Sequence, residues 1–350
     1  MRKISELDSN FKVETKIQKD GIKFINADSD VIQLYGVFKE NGKYRRLPEN
    51  VAKTVNEGVY ALHANTAGGR IKFKTDSEYI SIFVKYGSMG KMPHFAFTGS
   101  VGFDLYVDNI YEKTYVPPVN IEHEDEYEGI VELSEKRQRD ITINFPLYSE
   151  VKELYIGIDQ DAVLEKTKEY SVKKPVVYYG SSITQGGCAS RPGNSYQSIV
   201  SRKLDCDYIN LGFSGNARGE DEIANYIKNL DMSVFVYDYD HNAPTFEHLE
   251  KTHEKMYKII RETNPNLPII FMTRPKIYLN TDEENRFKLI KENYEKALKN
   301  GENVYFISGK DLMKNTDNDG TVDNCHPNDV GFRSMADGIV EVLGKILKTV

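Results

Sequence analysis

The hydrophobic positions change rhythm once along this chain. From about Ile22 to Ile158 they fall in short runs, some alternating with polar residues ("RIKFKTD", "DITINFPLY"), some continuous ("YISIFVKY", which breaks at "GSMGK"). "FDLYVDN" and "ELYIGID" belong to the same set. These runs are rich in Ile, Val, Phe and Tyr and are bounded by Gly, Asn, Asp or Pro, the pattern of half-buried strands. With no convincing helical stripe among them, residues 1–165 are expected to form an all-β sandwich or jelly roll. The charged stretch "DAVLEKTKEYSVKK" follows, and residues 166–174 read as a linker.

From Pro175 onward, strand-like and helix-like segments alternate. "VVYYG", "YINLGFSG", "SVFVYDYD", "PIIFMTRP" and "VYFISG" read as strands. Between and after them, "SYQSIVSRKLD", "DEIANYIKNL", "FEHLEKTHEKMYKIIRETNP", "EENRFKLIKENYEKALKNG" and "GFRSMADGIVEVLGKILK" carry apolar residues at helical spacing. Five strands alternating with helices predict that residues 175–350 form a three-layer, flavodoxin-like α/β domain with a parallel sheet. In such sheets, sites form beyond the carboxyl ends of the strands. "GSSITQGG", "GFSGNARG", "DYDHNAP" and "TRPKIY" all fall there, and "DNCHPND" lies between the last strand and the final helix.

Composition narrows the classes. A chain of 350 residues is comfortable for two domains, and 39% hydrophobic with 28% charged residues suffices for a full core. A net charge of −7 without a Lys/Arg block argues against nucleic acid and anionic membranes as partners. No apolar run is long enough for a membrane span. The N-terminal "MRKISELDSNFKVETK" lacks a signal-like apolar region. Cys188, Cys206 and Cys325 form no CxxC and suit a reducing compartment, so the expected location is cytoplasmic. The 23 tyrosines with no tryptophan read first as half-buried core, and second as a sugar-binding surface.

The candidate chemistry is acyl transfer, which needs a nucleophile, a base touching it, a group orienting the base and donors for the oxyanion. Ser181 and Ser182 stand where the first parallel strand ends. Asp323 and His326 are three residues apart, close enough for the carboxylate to hold Nδ1–H and leave Nε2 for a serine proton. The plainer readings are a surface histidine and a helix cap, with Asn328 or Asp329 nearer the helix than Asp323.

Four stretches, "GSSITQGG", "NLGFSGN", "DHNAP" and "DNCHPNDVGF", resemble the four ordered blocks of the SGNH (GDSL-type) hydrolases, over roughly Pro175 to the C-terminus. Upstream, "GFDLY" (Gly102 to Tyr106) is similar to the Gly-x-Asp-Leu-Tyr motif of a β-domain fused to some of these esterases. The resemblance implies Ser182 as nucleophile, His326 as base and Asp323 as its orienter. It implies an oxyanion hole of Ser182 N–H, Gly215 N–H and the Asn242 amide. Two departures stand out: Ser181 replaces the usual aspartate of the first block, and the third block keeps only its asparagine.

Arg191, His241, Arg274 and His94 are candidate substrate contacts, each with a structural alternative. Arg191 and Arg274 could pair with acids. The loop "SMGKMPHFAF" carrying His94 either folds over the site or is an ordinary hairpin. Asp238, Asp240 and His241 match no HxH or HExxH pattern, so no metal and no cofactor are expected. Neither Cys188 nor Cys325 has a base arrangement of its own. The resemblance implies a serine esterase acting on short acyl, chiefly acetyl, esters of small molecules or oligosaccharides. The alternatives are an acyltransferase using the same acyl-enzyme and a sugar-binding protein with an inactive hydrolase domain. The sequence leaves a homo-oligomer open.

Overall fold

The computed structural model describes residues 17–121 and 125–348. In the first half the strands are β1 Ile22–Asn26, β2 Gln33–Tyr35, β3 Phe38–Glu40, β4 Lys43–Arg45, β5 Arg70–Thr75, β6 Tyr79–Met89, β7 Phe103–Val107, β8 Ile110–Tyr115, β9 Glu126–Glu132, β10 Arg139–Asn144, β11 Ser149–Asp159 and β12 Leu164–Glu165. Two antiparallel sheets result, ordered β1-β11-β6-β9 and β12-β5-β10-β7-β8, with β2 also on β5. Their facing side chains share one core. Ile71, Phe73, Leu105, Ile141 and Ile143 come from one sheet, and Ile80, Ile82, Val84, Leu154 and Ile156 from the other. The alternation fixes the register: Ile141 pairs with Phe73 and Val107, and Ile143 with Ile71 and Leu105, all on the inner face.

Helices α1 Glu49–Val55 and α2 Glu57–Leu62 also lie in this half, against the expectation of a purely β region; α3 Phe97–Ser100 is a single turn. Each is too short for a periodic stripe to stand out, and Asn56 divides the first two. Asn56 ends α1 and caps α2, accepting Val59 N–H at 2.8 Å. Their apolar side serves the other half of the molecule: Ala52 and Val59 are buried with Leu211, Phe213 and Ala217.

The second half contains β13 Val172–Gly180, α4 Ser182–Gln185, α5 Tyr196–Leu204, β14 Cys206–Gly212, α6 Asp221–Ile227, β15 Val234–Asp238, α7 Phe246–Thr263, β16 Ile269–Met272, α8 Thr281–Lys299, β17 Val304–Ile307, α9 Gly309–Met313 and α10 Asp329–Ile346. The sheet is parallel, ordered β14-β13-β15-β16-β17, which is the 2-1-3-4-5 doubly wound order. Buried on both faces, its strands are nearly continuous in apolar residues. α5 and α10 pack on one face, and α6, α7 and α8 on the other. No described helix is long and apolar enough to cross a membrane.

The expected linker is tied down at both ends. Leu164 pairs with Thr75, and β13 begins at Val172, which pairs with Cys206, rather than at Pro175. Between them the Tyr170 hydroxyl accepts a hydrogen bond from Arg70 Nε at 2.7 Å. Arg70 also pairs with Asp207 and lies over the Tyr208 ring at 4.1 Å. Arg46 makes a second buried bond set across the halves, donating to the carbonyls of Asn210, Gly212 and Leu62.

Replacing Arg46 removes a charged donor from two buried acceptors, Asn210 O and Gly212 O, and from the part-buried Leu62 O. Arg46→Met is expected to cost about 3 kcal/mol in chemical denaturation. It should also lower activity, because Gly212 leads directly into the loop carrying Gly215. Unchanged stability would exclude this clamp as a support of the fold.

Candidate active site

The site lies past the carboxyl ends of β13, β14 and β15, where the strand order reverses direction. β13 ends at Gly180, where a Cβ would stand 1.9 Å from Asp238 Oδ1, so no side chain fits. Ser181 follows, fully buried, its Oγ accepting Ile183 N–H at 3.2 Å as the cap of α4. Ser182 is the first residue of that helix and stays 9% exposed. Of the two hydroxyls, Ser182's meets an imidazole: its Oγ lies 2.9 Å from His326 Nε2.

His326 is held by a carboxylate from its own loop. Asp323 Oδ2 accepts from Nδ1 at 2.8 Å, and Oδ1 accepts the backbone N–H of His326 at 2.7 Å. Burial works to raise the Asp323 pKa, but these two bonds and the imidazole charge outweigh it and hold it below the usual carboxylate value. The cap of α10 is Asn328, which accepts from Val330 and Gly331 N–H and leaves Asp323 to the imidazole.

Gly215 has φ +70°, the left-handed region that favours glycine, and a Cβ there would point into open space. Among the described residues, no protein acceptor takes the N–H of Gly215 or Ser182. The Asn242 amide donates to Phe213 O at 2.9 Å, which spends one of its two hydrogens tying the third block to the second. Gln185, missed in the sequence reading, ties three segments together. Its Oε1 accepts Ser214 N–H at 3.1 Å, and its Nε2 donates to Asn65 Oδ1 at 3.1 Å and to Leu147 O at 3.2 Å. A polar residue in a four-residue helix between a strand end and two glycines was the available signal.

The loop carrying His94 folds over the site rather than standing away from it. The His94 ring is 5.3 Å from the His326 ring, and Phe95 is 5.9 Å from it and 4.7 Å from Tyr148. Tyr148 in turn donates to Ser182 O at 3.2 Å. His241 lies beside the catalytic loop, its Nδ1 3.9 Å from Cys325 Sγ. Burial, helped by the Arg274 charge, pulls its pKa down to about 4, so the ring is neutral at neutral pH. Its Nε2 has no protein partner. Burial also pushes the Cys188 thiol up to about 12 and raises that of Cys325, which keeps both protonated.

Two of the expected substrate contacts are engaged by acids of the protein itself, the structural alternative for each. Arg191 is taken up by the β-domain: it pairs with Asp104 at 2.9 Å, donates to the Tyr106 hydroxyl at 2.5 Å and stacks on Tyr111 at 3.8 Å. Arg274 is buried between Asp240 at 2.8 Å and Glu283 at 2.9 Å, with Lys276 on the same glutamate. Opposite charge supplied from distant segments satisfied both, which a single sequence does not reveal.

A β sandwich fused to a 2-1-3-4-5 parallel sheet, with a serine, an imidazole and a carboxylate in line at its rim, defines the acyl-hydrolase class of α/β protein. The chain belongs to the GDSL-like lipase/acylhydrolase family, whose profile matches residues 173–344. Residues 22–164 match the GxDLY domain, the N-terminus of SGNH-hydrolase-type esterases. No curated protein sequence matches the chain. A crystal structure named as a GDSL-like lipase from Bacteroides ovatus is similar at 30% identity and TM-score 0.82, covering 93% of this chain and 98% of that one. A salicylyl-acyltransferase from a tetracycline biosynthetic pathway shares the fold at 18% identity and TM-score 0.76, over 94% and 98% of the two chains. So does a family two carbohydrate esterase from Clostridium thermocellum, at 14% identity and TM-score 0.59, over 81% and 94%.

Arg274→Met should leave Asp240 buried without its main cation, at a cost of about 3–5 kcal/mol near neutral pH. The sign with pH is distinctive. In the native protein the Asp240 pKa is lowered, because the Arg274 charge overcomes burial, so its contribution is present above the unfolded value and lost as pH falls through the folded one. Without Arg274, burial raises the folded pKa, so the deficit should shrink as pH falls toward about 4. Thermal melts of both proteins across pH read this directly. A raised KM with unchanged melting would instead restore Arg274 as a substrate contact.

Proposed function

We propose that the chain is a serine esterase that removes short acyl groups, chiefly acetyl, from carbohydrates. The observation that carries this reading is the hydrogen-bonded line Ser182 Oγ, His326 Nε2 and Nδ1, Asp323 Oδ2, with separations of 2.9 and 2.8 Å.

Ser182 Oγ attacks the ester carbonyl as His326 Nε2 takes its proton. Asp323 keeps Nδ1 protonated and stabilises the imidazolium. The tetrahedral oxyanion draws on the N–H groups of Ser182 and Gly215 and on the second amide hydrogen of Asn242. As the C–O bond to the sugar breaks, His326 returns its proton to the departing alcohol. Water, deprotonated by the same imidazole, then attacks the acyl-Ser182 ester, and the second collapse releases the carboxylic acid and the free serine. The neutral His241 is packed beside the loop that carries His326, with its Nε2 buried, and makes no direct substrate contact in this reading. Phe95, whose ring lies 5.9 Å from that of His326, also lines an open hollow of about 380 Å³ with Met92, Pro93 and Phe97, an apolar surface on the loop that covers the site. Family membership and the fold shared with a carbohydrate esterase support the substrate class. The intact line of three residues argues against an inactive binding domain.

Ser182→Ala should abolish labelling by a fluorophosphonate and lower kcat by a factor of about 10⁴ or more. Ser181→Ala should remain within about tenfold of native activity and lose about 1 kcal/mol of stability as a lost cap. Asn242→Ala should lower kcat about a hundredfold. Aryl acetate should be cleaved faster than butyrate or octanoate; an octanoate preference defeats the acetyl reading. Acylated product formed in place of acid when a sugar acceptor is added would mark a transferase.

A further inference from the structure

A thiol and a second imidazole gather on the proposed base. Ligand atoms of His94, Cys188 and His326 all lie within 4.8 Å of one another. They arrive from the loop between β6 and α3, the turn after α4 and the loop before α10. Cys188 holds its place with φ +71°, a conformation uncommon for a non-glycine residue, and is 7% exposed. His94 is exposed. The acyl-transfer steps use neither Cys188 nor His94, so that chemistry does not account for their position.

We propose that His94, Cys188 and His326 form an inhibitory site for a borderline-soft divalent cation, with zinc as the type ion. The inference rests on His326 being the base. Two imidazoles and one thiolate are a zinc ligand set, and the fourth position is open to water or to Ser182 Oγ. Zn–N bonds of about 2.0–2.1 Å and Zn–S bonds of about 2.3 Å require ligand atoms roughly 3.3–3.7 Å apart in a tetrahedral site. Closure of about 1 Å is therefore needed, and a rotamer change of exposed His94 can provide much of it. Asp323 already holds Nδ1–H of His326, which is how carboxylates orient metal-bound imidazoles and fix the free nitrogen. The site has nothing to offer magnesium, which prefers hard oxygen ligands.

The balance is simple. The Cys188 S–H proton goes to solvent as the metal–sulfur bond forms. The Nε2 lone pair that would accept the Ser182 proton is donated to the metal instead. Ser182 then has no base, and acyl transfer stops until the ion leaves. Because a proton is released, binding should tighten as pH rises.

The test uses the full chain. Aryl acetate hydrolysis is titrated with Zn²⁺, Cd²⁺ and Mg²⁺, each variant being compared with its own metal-free rate. Cd²⁺ binding is followed separately by the thiolate-to-metal charge-transfer absorbance, which reads the site whether or not the chain turns over ester. Zn²⁺ should inhibit at micromolar levels, reversibly with a chelator, and Mg²⁺ should not. In His94→Gln and Cys188→Ser, half-inhibition should need at least about tenfold more Zn²⁺. The Cd²⁺ band should vanish in Cys188→Ser. Inhibition unchanged in both variants, or a band that persists without Cys188, overturns the proposal. Ester hydrolysis with neither band nor zinc inhibition also overturns it while leaving the esterase reading intact. A Cys188-dependent band in a chain with no esterase activity keeps the metal site and removes the esterase.

Discussion

Asp104 is a carboxylate with no exposure to solvent, and the position of the active-site rim depends on how it is satisfied. A buried charge of this kind is tolerable only when it is paired and hydrogen-bonded. Its Oδ1 accepts the Asn144 amide at 2.8 Å; its Oδ2 accepts Gly193 N–H at 2.8 Å and pairs with Arg191 at 2.9 Å. Asn144 is on the neighbouring strand of the sandwich, while Gly193 and Arg191 are on the segment that follows α4, the helix carrying Ser182. The requirement that this one carboxylate not be orphaned therefore couples the two halves of the chain. This gives the Gly-x-Asp-Leu-Tyr motif a physical basis. Asp104 and Tyr106 grip the loop, and at Gly102 a Cβ would meet Thr98 O at 2.5 Å, so the turn into the strand closes only with glycine.

The coupling reaches His326 through a few bonds. Thr98 donates to Ser190 O at 2.5 Å, and Ser190 N–H donates to Asp329 Oδ1 at 2.9 Å. Asp329 opens α10, three residues beyond His326. On the other side of the rim, Gln185 bonds to the β-domain carbonyl of Leu147 and to the amide of the loop carrying Gly215. The helix that presents Ser182 is one turn long and could not keep its orientation unaided. It is held from both sides: Thr184 bonds to Asp238, Gln197 and Asn210 of its own half, and Gln185 to Asn65 and Leu147 of the first half.

This arrangement accounts for what could be read from the sequence. The alternating and continuous apolar runs marked the strands because each face of a sheet leaves a local periodic trace. Ser182, Asp323 and His326 were legible through the family resemblance of their blocks, and the structure brings the three side chains together. Ser181 and Ser182 could be separated only by block alignment until the structure made one a buried cap and placed the other against an imidazole. The rest depended on long-range satisfaction. Arg191 looked like a rim cation because its acid lies 87 residues away, and Arg274 because Asp240 lies 34 residues before it and Glu283 is brought back to it only by the turn into α8. α1 and α2 were hidden because their apolar residues serve the core of the other domain rather than their own. Gln185 left only a weak local trace, a polar residue just before two glycines, because its three partners come from three separate segments.

The same reasoning bears on the missing aspartate of the first block. A carboxylate at position 181 would sit fully buried, next to Gly180, where even an added Cβ would collide with Asp238 Oδ1. Burial raises the Asp238 pKa well above the carboxylate range despite its 2.5 Å bond from Thr184, and Asp240 adds to the rise. A third acid beside these two would face the same desolvation and more like-charge repulsion, with buried Arg274 already shared between Asp240 and Glu283 and buried Arg46 taken up by backbone carbonyls. A neutral hydroxyl meets the local need, one acceptor for one helix N–H, at far lower electrostatic cost. The serine is thus coherent with the buried acids around it.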